Sequence, residues 1–135
     1  MKYWLLKTEP SAYSFDDLLR DGTTLWSGVR NYQARNFLRD EMKRGDRALI
    51  YHSSADPTAV IGVAEVVREG HPEPGETDWF QVELKALQKL PRPVTLAEIR
   101  KTPALKDMLL IRRGMRLSVQ PVTKAQYDAI LKLGE

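Results

Sequence analysis

The stretch WSGVRNYQARNFLR, Trp26 to Arg39, decides how this 135-residue chain is read. Trp26 ends an apolar run, and Ser27-Gly28 lets the backbone turn sharply, because glycine reaches conformations that a Cβ forbids. Asn31 is a favourable helix N-cap, and Ala34, Phe37, Leu38 and Met42 follow at helical spacing. A helix is therefore predicted from Asn31 to Lys43, stopped at Gly45. Free amide groups at such a helix start, with Arg30 and Arg35 close by, suit an anionic oxygen. Trp26 and Tyr32 offer flat faces to a ring. Together these parts describe a pocket for a base with its phosphate nearby. Each residue alone also has a plainer reading, with Trp26 and Phe37 as core and the two arginines as solvated charges.

Outward from this segment the pattern mixes strands and helices. Tyr3 to Lys7 alternates like a strand, and Ser14 caps a short helix through Leu19, with Asp17 at the capping-box position and Gly22 as its stop. Thr23 to Trp26 is extended. Asp46 to His52 and Ala59 to Arg68 read as strands joined by the turn SSADPT, and Trp79 to Gln88 as another after the loop HPEPGE. Thr95 with Glu98 and Thr123 with Gln126 open two further helices, the second closed by Gly134, with a strand from Arg116 to Val122 between them. No repeat, linker or low-complexity segment interrupts the chain. The order suits an α+β fold, a closed or nearly closed, mostly antiparallel β-barrel flanked by short helices, in one domain spanning residues 1–135.

Composition narrows the function. The chain has no cysteine, which excludes disulfides, thiolate catalysis and cysteine-based zinc sites. His52 and His71 alone do not suggest a metal site, so no metal and no cofactor are expected. The opening YWLL lacks a signal pattern and no apolar stretch approaches a membrane span, so a cytoplasmic protein without membrane association is expected, as a monomer. The net charge of +3 is modest but unevenly placed. Arg92, Arg100, Lys101, Lys106, Arg112, Arg113 and Arg116 face only Glu98 and Asp107 over residues 92–116, and such a local excess attracts phosphate. The plainer reading is a solvated helix face beside a basic loop.

Enzyme chemistry finds little purchase. His52 and Ser53 are adjacent on a strand and point to opposite faces, so they make no easy nucleophile–base pair. Phosphate-cradling glycine loops are absent. The exception is Lys7-Thr8-Glu9, where a buried lysine beside a hydroxyl and a carboxylate can run hydrolytic chemistry. Its structural counterpart is an ion pair at a strand end.

YWLLKTEP, WSGVRNYQARNFLR, GDRALIYHSS and RLSVQPV, in this order between Tyr3 and Val122, resemble the EVE domain family of the PUA-like superfamily of small nucleic-acid-binding barrels. The segment from His71 to Leu90 matches less distinctively. The resemblance implies a PUA-like barrel and a nucleic-acid-binding module that recognises a modified base. Methylated or hydroxymethylated cytosine in DNA is the implied ligand class, with modified RNA as a second. On that reading Trp26 and Tyr32 are aromatic walls, and Ser27, Asn31, Asn36, Tyr51 and Ser53 are polar groups of the base pocket. His52 belongs to the pocket or to the structure. Ser118 and Gln120 share a strand face with Arg116 and line the same cavity. Arg30, Arg35 and Arg116 meet phosphate or the base carbonyl, and Arg112 and Arg113 meet phosphate. The alternative is an amidohydrolase for a modified nucleoside, because some PUA-like relatives use a trio like Lys7, Thr8 and Glu9. A third reading, an aromatic cage for a modified cationic side chain, predicts acidic groups where this motif supplies cations.

Overall fold

Strand β1, Tyr3–Thr8, buries Trp4, Leu5 and Leu6 in succession. A run without alternation belongs to a strand covered on both faces. In the computed structural model, which describes residues 1–135, β1 lies between β3 (Arg47–His52) and β6 (Val119–Val122). The other strands are β2 (Thr23–Trp26), β4 (Ala59–Pro72) and β5 (Phe80–Thr95). The six-stranded sheet runs β2-β5-β4-β3-β1-β6, with β1 and β3 parallel and every other pair antiparallel.

Side chains alternate between two cores. Trp4 and Leu6, Ala48 and Ile50, Ala64 and Val66, and Val82 and Leu84 enter one, covered by helices α1 (Phe15–Asp21) and α2 (Tyr32–Asn36). Leu5, Leu49, Tyr51, Val63 and Val94 enter the other, under α3 (Leu96–Lys101) and α4 (Lys124–Leu133). Register shifts along β4 and β5 bend these long strands, as bulges do. The α+β class expected from the sequence is the class adopted, with one correction: the sheet is not closed. Strands β2 and β6 are four residues each and pair on one side only, with β5 and β1.

The capping residues behave as expected. Ser14 with Asp17, Thr95 with Glu98 and Thr123 with Gln126 form reciprocal capping boxes, and the Asn31 side chain accepts from the Ala34 N–H. The single helix expected from Asn31 to Lys43 is instead α2 followed by a π-helical turn at Phe37–Glu41, where the Met42 N–H reaches the Phe37 carbonyl. Gly70 of β4 packs against this turn so closely that a Cβ would collide with the Leu38 carbonyl oxygen. Below the turn, Asp46 is buried and accepts from the Lys2 and Lys43 N–H groups and from Trp4 Nε1, each within 3.0 Å. That carboxylate ties the start of β1 to the end of the helical segment.

Candidate nucleic-acid interface

A cavity of about 570 Å³ opens where the sheet fails to close. One wall is Thr24, Leu25 and Trp26 of β2, and the facing wall is Lys7 and Thr8 of β1 with Arg116 and Ser118 ahead of β6. The turn from Ser27 to Asn31 and the pair Ala12-Tyr13 complete it. The size suits a small planar ligand with an attached polar group. Lys7, Arg30 and Arg116 are its cations, and no carboxylate lines it.

Trp26 is a core residue with 9% of its surface exposed, and that remaining surface faces the cavity. Tyr13 meets it edge-on, ring centroids 6.4 Å apart, and brings a second aromatic to the wall. Gly28, with φ of 82°, takes the turn in a conformation that suits glycine. Asn31 serves two ends: its side-chain carbonyl is committed to the Ala34 N–H at 3.0 Å, which leaves its amide N–H groups for the cavity that the residue lines. Lys7 has no ion-pair partner, and burial pushes its pKa below the ordinary 10.5. Arg116 also lines a neighbouring groove with Asn31, Gln33 and Arg113, so cavity and groove share one rim.

Other expected site residues lie elsewhere. Tyr32 stands outside the cavity and is 58% exposed, with its ring stacked on Trp79 at 4.9 Å and the Arg35 guanidinium 5.0 Å from its centroid, so it packs with these neighbours and does not wall the cavity. Arg35 also donates to the Asp78 carbonyl and, through Nε, to Asn36 Oδ1, and Asn36 lies outside the cavity. Tyr51 follows Leu49 into the second core, because residues two apart share a strand face. His52 is structural: its Nε2 accepts from the Phe15 N–H at 3.0 Å, and burial lowers its pKa. Ser53 donates its N–H to the Thr8 carbonyl. Strand pairing begins only at Val119, so Arg116 and Ser118 reach the cavity from a loop, while Gln120 is buried and donates to the Leu117 carbonyl. Arg112 is exposed outside both cavity and groove. In the hydrolase trio, Thr8 Oγ1 donates to the Tyr13 carbonyl, and Glu9 lies outside the cavity, accepting from Ser54. Lys7 and Thr8 thus line the cavity without the carboxylate.

Sequence reading passed over Glu73 and Trp79. Glu73 is 8% exposed and accepts from the Gly28 N–H at 3.0 Å and from both terminal nitrogens of Arg30 at 2.9 Å. The Arg30 guanidinium holds its carboxyl below the ordinary carboxylate value, with the Gly28 N–H assisting. Trp79 is covered by Arg30 at 5.0 Å. Both lie beyond forty residues from their partners in a segment without a motif, and only the β4–β5 connection brings them to the turn.

A mixed sheet with helices on both faces and a cationic, aromatic-walled cavity at its open edge defines a small ligand-recognition domain. The EVE domain family model matches residues 2–133, and the chain belongs to that family. Thymocyte nuclear protein 1 of Gallus gallus is 34% identical over 168 residues, covering 98% of this chain and 69% of its own length. A crystal structure of a protein from Agrobacterium tumefaciens is 40% identical with a TM-score of 0.93, covering 99% of this chain and 93% of that one. Human thymocyte nuclear protein 1 in complex with DNA containing 5-methylcytosine is 34% identical with a TM-score of 0.89, covering 100% of this chain and 98% of that one. The nuclear name of these relatives does not carry the cytoplasmic location expected from the sequence. No helix is long and apolar enough to cross a membrane.

Proposed function

We propose that this chain binds nucleic acid by holding one modified base, a C5-substituted cytosine in DNA, in the cavity beside Trp26. The observation that carries the reading is the cavity itself: aromatic surface, hydroxyls and an amide, with unpaired Lys7 and Arg116, sit together at the sheet opening. The human relative bound to 5-methylcytosine-containing DNA, similar along the whole chain, supports the same ligand class. Trp26 and Tyr13 supply flat surface, while Ser27, Asn31 and Ser118 address the base edge. Lys7 meets a base acceptor, and Arg116 at the shared rim meets the adjoining phosphate. An extruded base is bound in this manner, by stacking plus edge hydrogen bonds. A reader is favoured over the hydrolase reading, because Glu9 lies outside the cavity and accepts from Ser54.

Binding titrations with matched oligonucleotides carrying cytosine, 5-methylcytosine or 5-hydroxymethylcytosine, as DNA and as RNA, test this. A modified DNA strand is expected to bind more tightly than its unmodified match. Equal affinity for all strands, or turnover of a free modified nucleoside, overturns it.

A further inference from the structure

Glu73 stands out because it lies outside the cavity and yet holds a wall of it. Its nearly buried carboxylate accepts the Gly28 N–H and grips Arg30 bidentately, with Arg30 also donating to the Val29 carbonyl at 3.2 Å. Arg30 also lies over the Trp79 ring, which stacks on Tyr32, and Tyr32 in turn meets Arg35. The connection between β4 and β5 is thereby locked to the turn that forms the cavity wall. Arg30 remains 47% exposed at its side chain but carries no uncompensated charge.

We infer that Glu73 is a positioning residue that withholds Arg30 from phosphate, so that binding depends on the base in the cavity rather than on sequence-blind attraction to the backbone. This rests on the base-reading function proposed above. A free arginine at the cavity rim gains a phosphate contact on any strand, modified or not. Each such contact raises overall affinity, adds to the salt dependence and carries no base identity. An arginine already paired with a buried carboxylate and laid over an indole contributes neither. Glutamine at position 73 keeps an acceptor for the Gly28 N–H but removes the charge that holds Arg30.

The test compares the full chain with Glu73→Gln, Arg30→Gln, and Glu135→Gln as a charge-matched control, on modified and unmodified oligonucleotides across a salt series. Glu73→Gln is expected to tighten binding to unmodified DNA and narrow the preference for the modified strand several-fold. It also steepens the dependence of log affinity on log salt by about 0.7–0.9, the increment for one phosphate contact. Arg30→Gln, whose parent residue makes no phosphate contact, leaves the slope unchanged. The control changes neither slope nor preference. An unchanged slope in Glu73→Gln overturns the inference, as does a shallower slope in Arg30→Gln, which stands even if Glu73→Gln does not fold. A parent that binds modified and unmodified strands alike, with a slope that still steepens in Glu73→Gln, overturns base reading but sustains the withholding of Arg30. Absence of binding to any strand overturns both.

Discussion

Asn31 has to cap a helix and face a ligand at once, and a single substitution separates the two tasks. Aspartate caps as well as asparagine but has no N–H to donate. Asn31→Asp is expected to keep its thermal midpoint while losing roughly tenfold in affinity for the modified strand, about one hydrogen bond. Parent-like binding by this variant means the amide does not touch the base. His52 makes the opposite kind of prediction, about stability alone. Its folded pKa lies below the ordinary 6.5, so the unfolded chain takes up the proton first. The stability is complete above about pH 6.5 and declines as the pH falls below it toward the folded value. Asp17, Asp21, Asp40, Glu73 and Glu98 have lowered carboxyl pKa values, so their contributions fade only further down, as pH falls through the acidic range. Urea unfolding at pH 7.5, 6 and 5 is expected to show a decline that His52→Gln, which keeps an acceptor, flattens. An equal decline in both proteins removes His52 as its source.

Among the elements, the π-helical turn at Phe37–Glu41 ends α2 and packs it against β4, which fixes the helix that follows the cavity turn. Gly70 has no free space for a Cβ, and its closest neighbours are backbone atoms of Leu38 and Arg39, which cannot rotate aside. Gly70→Ala is expected to destabilise the fold by about 1–3 kcal/mol or more, as overpacking does. Chemical denaturation gives that value directly, and an unchanged midpoint means strand and turn separate freely. Gly62 is closed in another way, because a Cβ there lands on the ring of Phe15, which is itself fully buried in the core. The helix starts were legible because a cap is a local device of four residues. The ends of β4 and β5 were not, because pairing with each other extends them past any local signal.

Across the whole molecule, charge is divided between the cavity and its surroundings. Arg113 borders the groove that adjoins the cavity through Asn31 and Arg116, and Arg112 beside it is exposed. We expect Arg112→Ala/Arg113→Ala to weaken modified and unmodified strands alike and to flatten the salt dependence by about 0.7–0.9 for each phosphate that is no longer neutralised. The preference for the modified base is expected to stay intact, since edge hydrogen bonds release no counterions. A changed preference with an unchanged slope places these arginines at the base instead.

The sequence by itself determined the α+β class, the caps at Ser14, Asn31, Thr95 and Thr123, the turn at Ser27-Gly28, and the grouping of Trp26, Ser27, Asn31 and Arg30 around one site. These follow from short-range rules, in which one residue type meets one backbone requirement a few positions away. Whether the sheet closes, which side chains share the cavity and which charges are already neutralised depended on the meeting of distant segments. Tyr32 and Arg35 belong to the right motif, yet Trp79 and Asp78 claim them from more than forty residues away. Tyr13 enters the cavity because the open sheet edge leaves room beside Trp26. Glu73 neutralises Arg30 only because the bent β4 carries a buried carboxylate to the turn, and nothing within reach of a local pattern encodes that meeting.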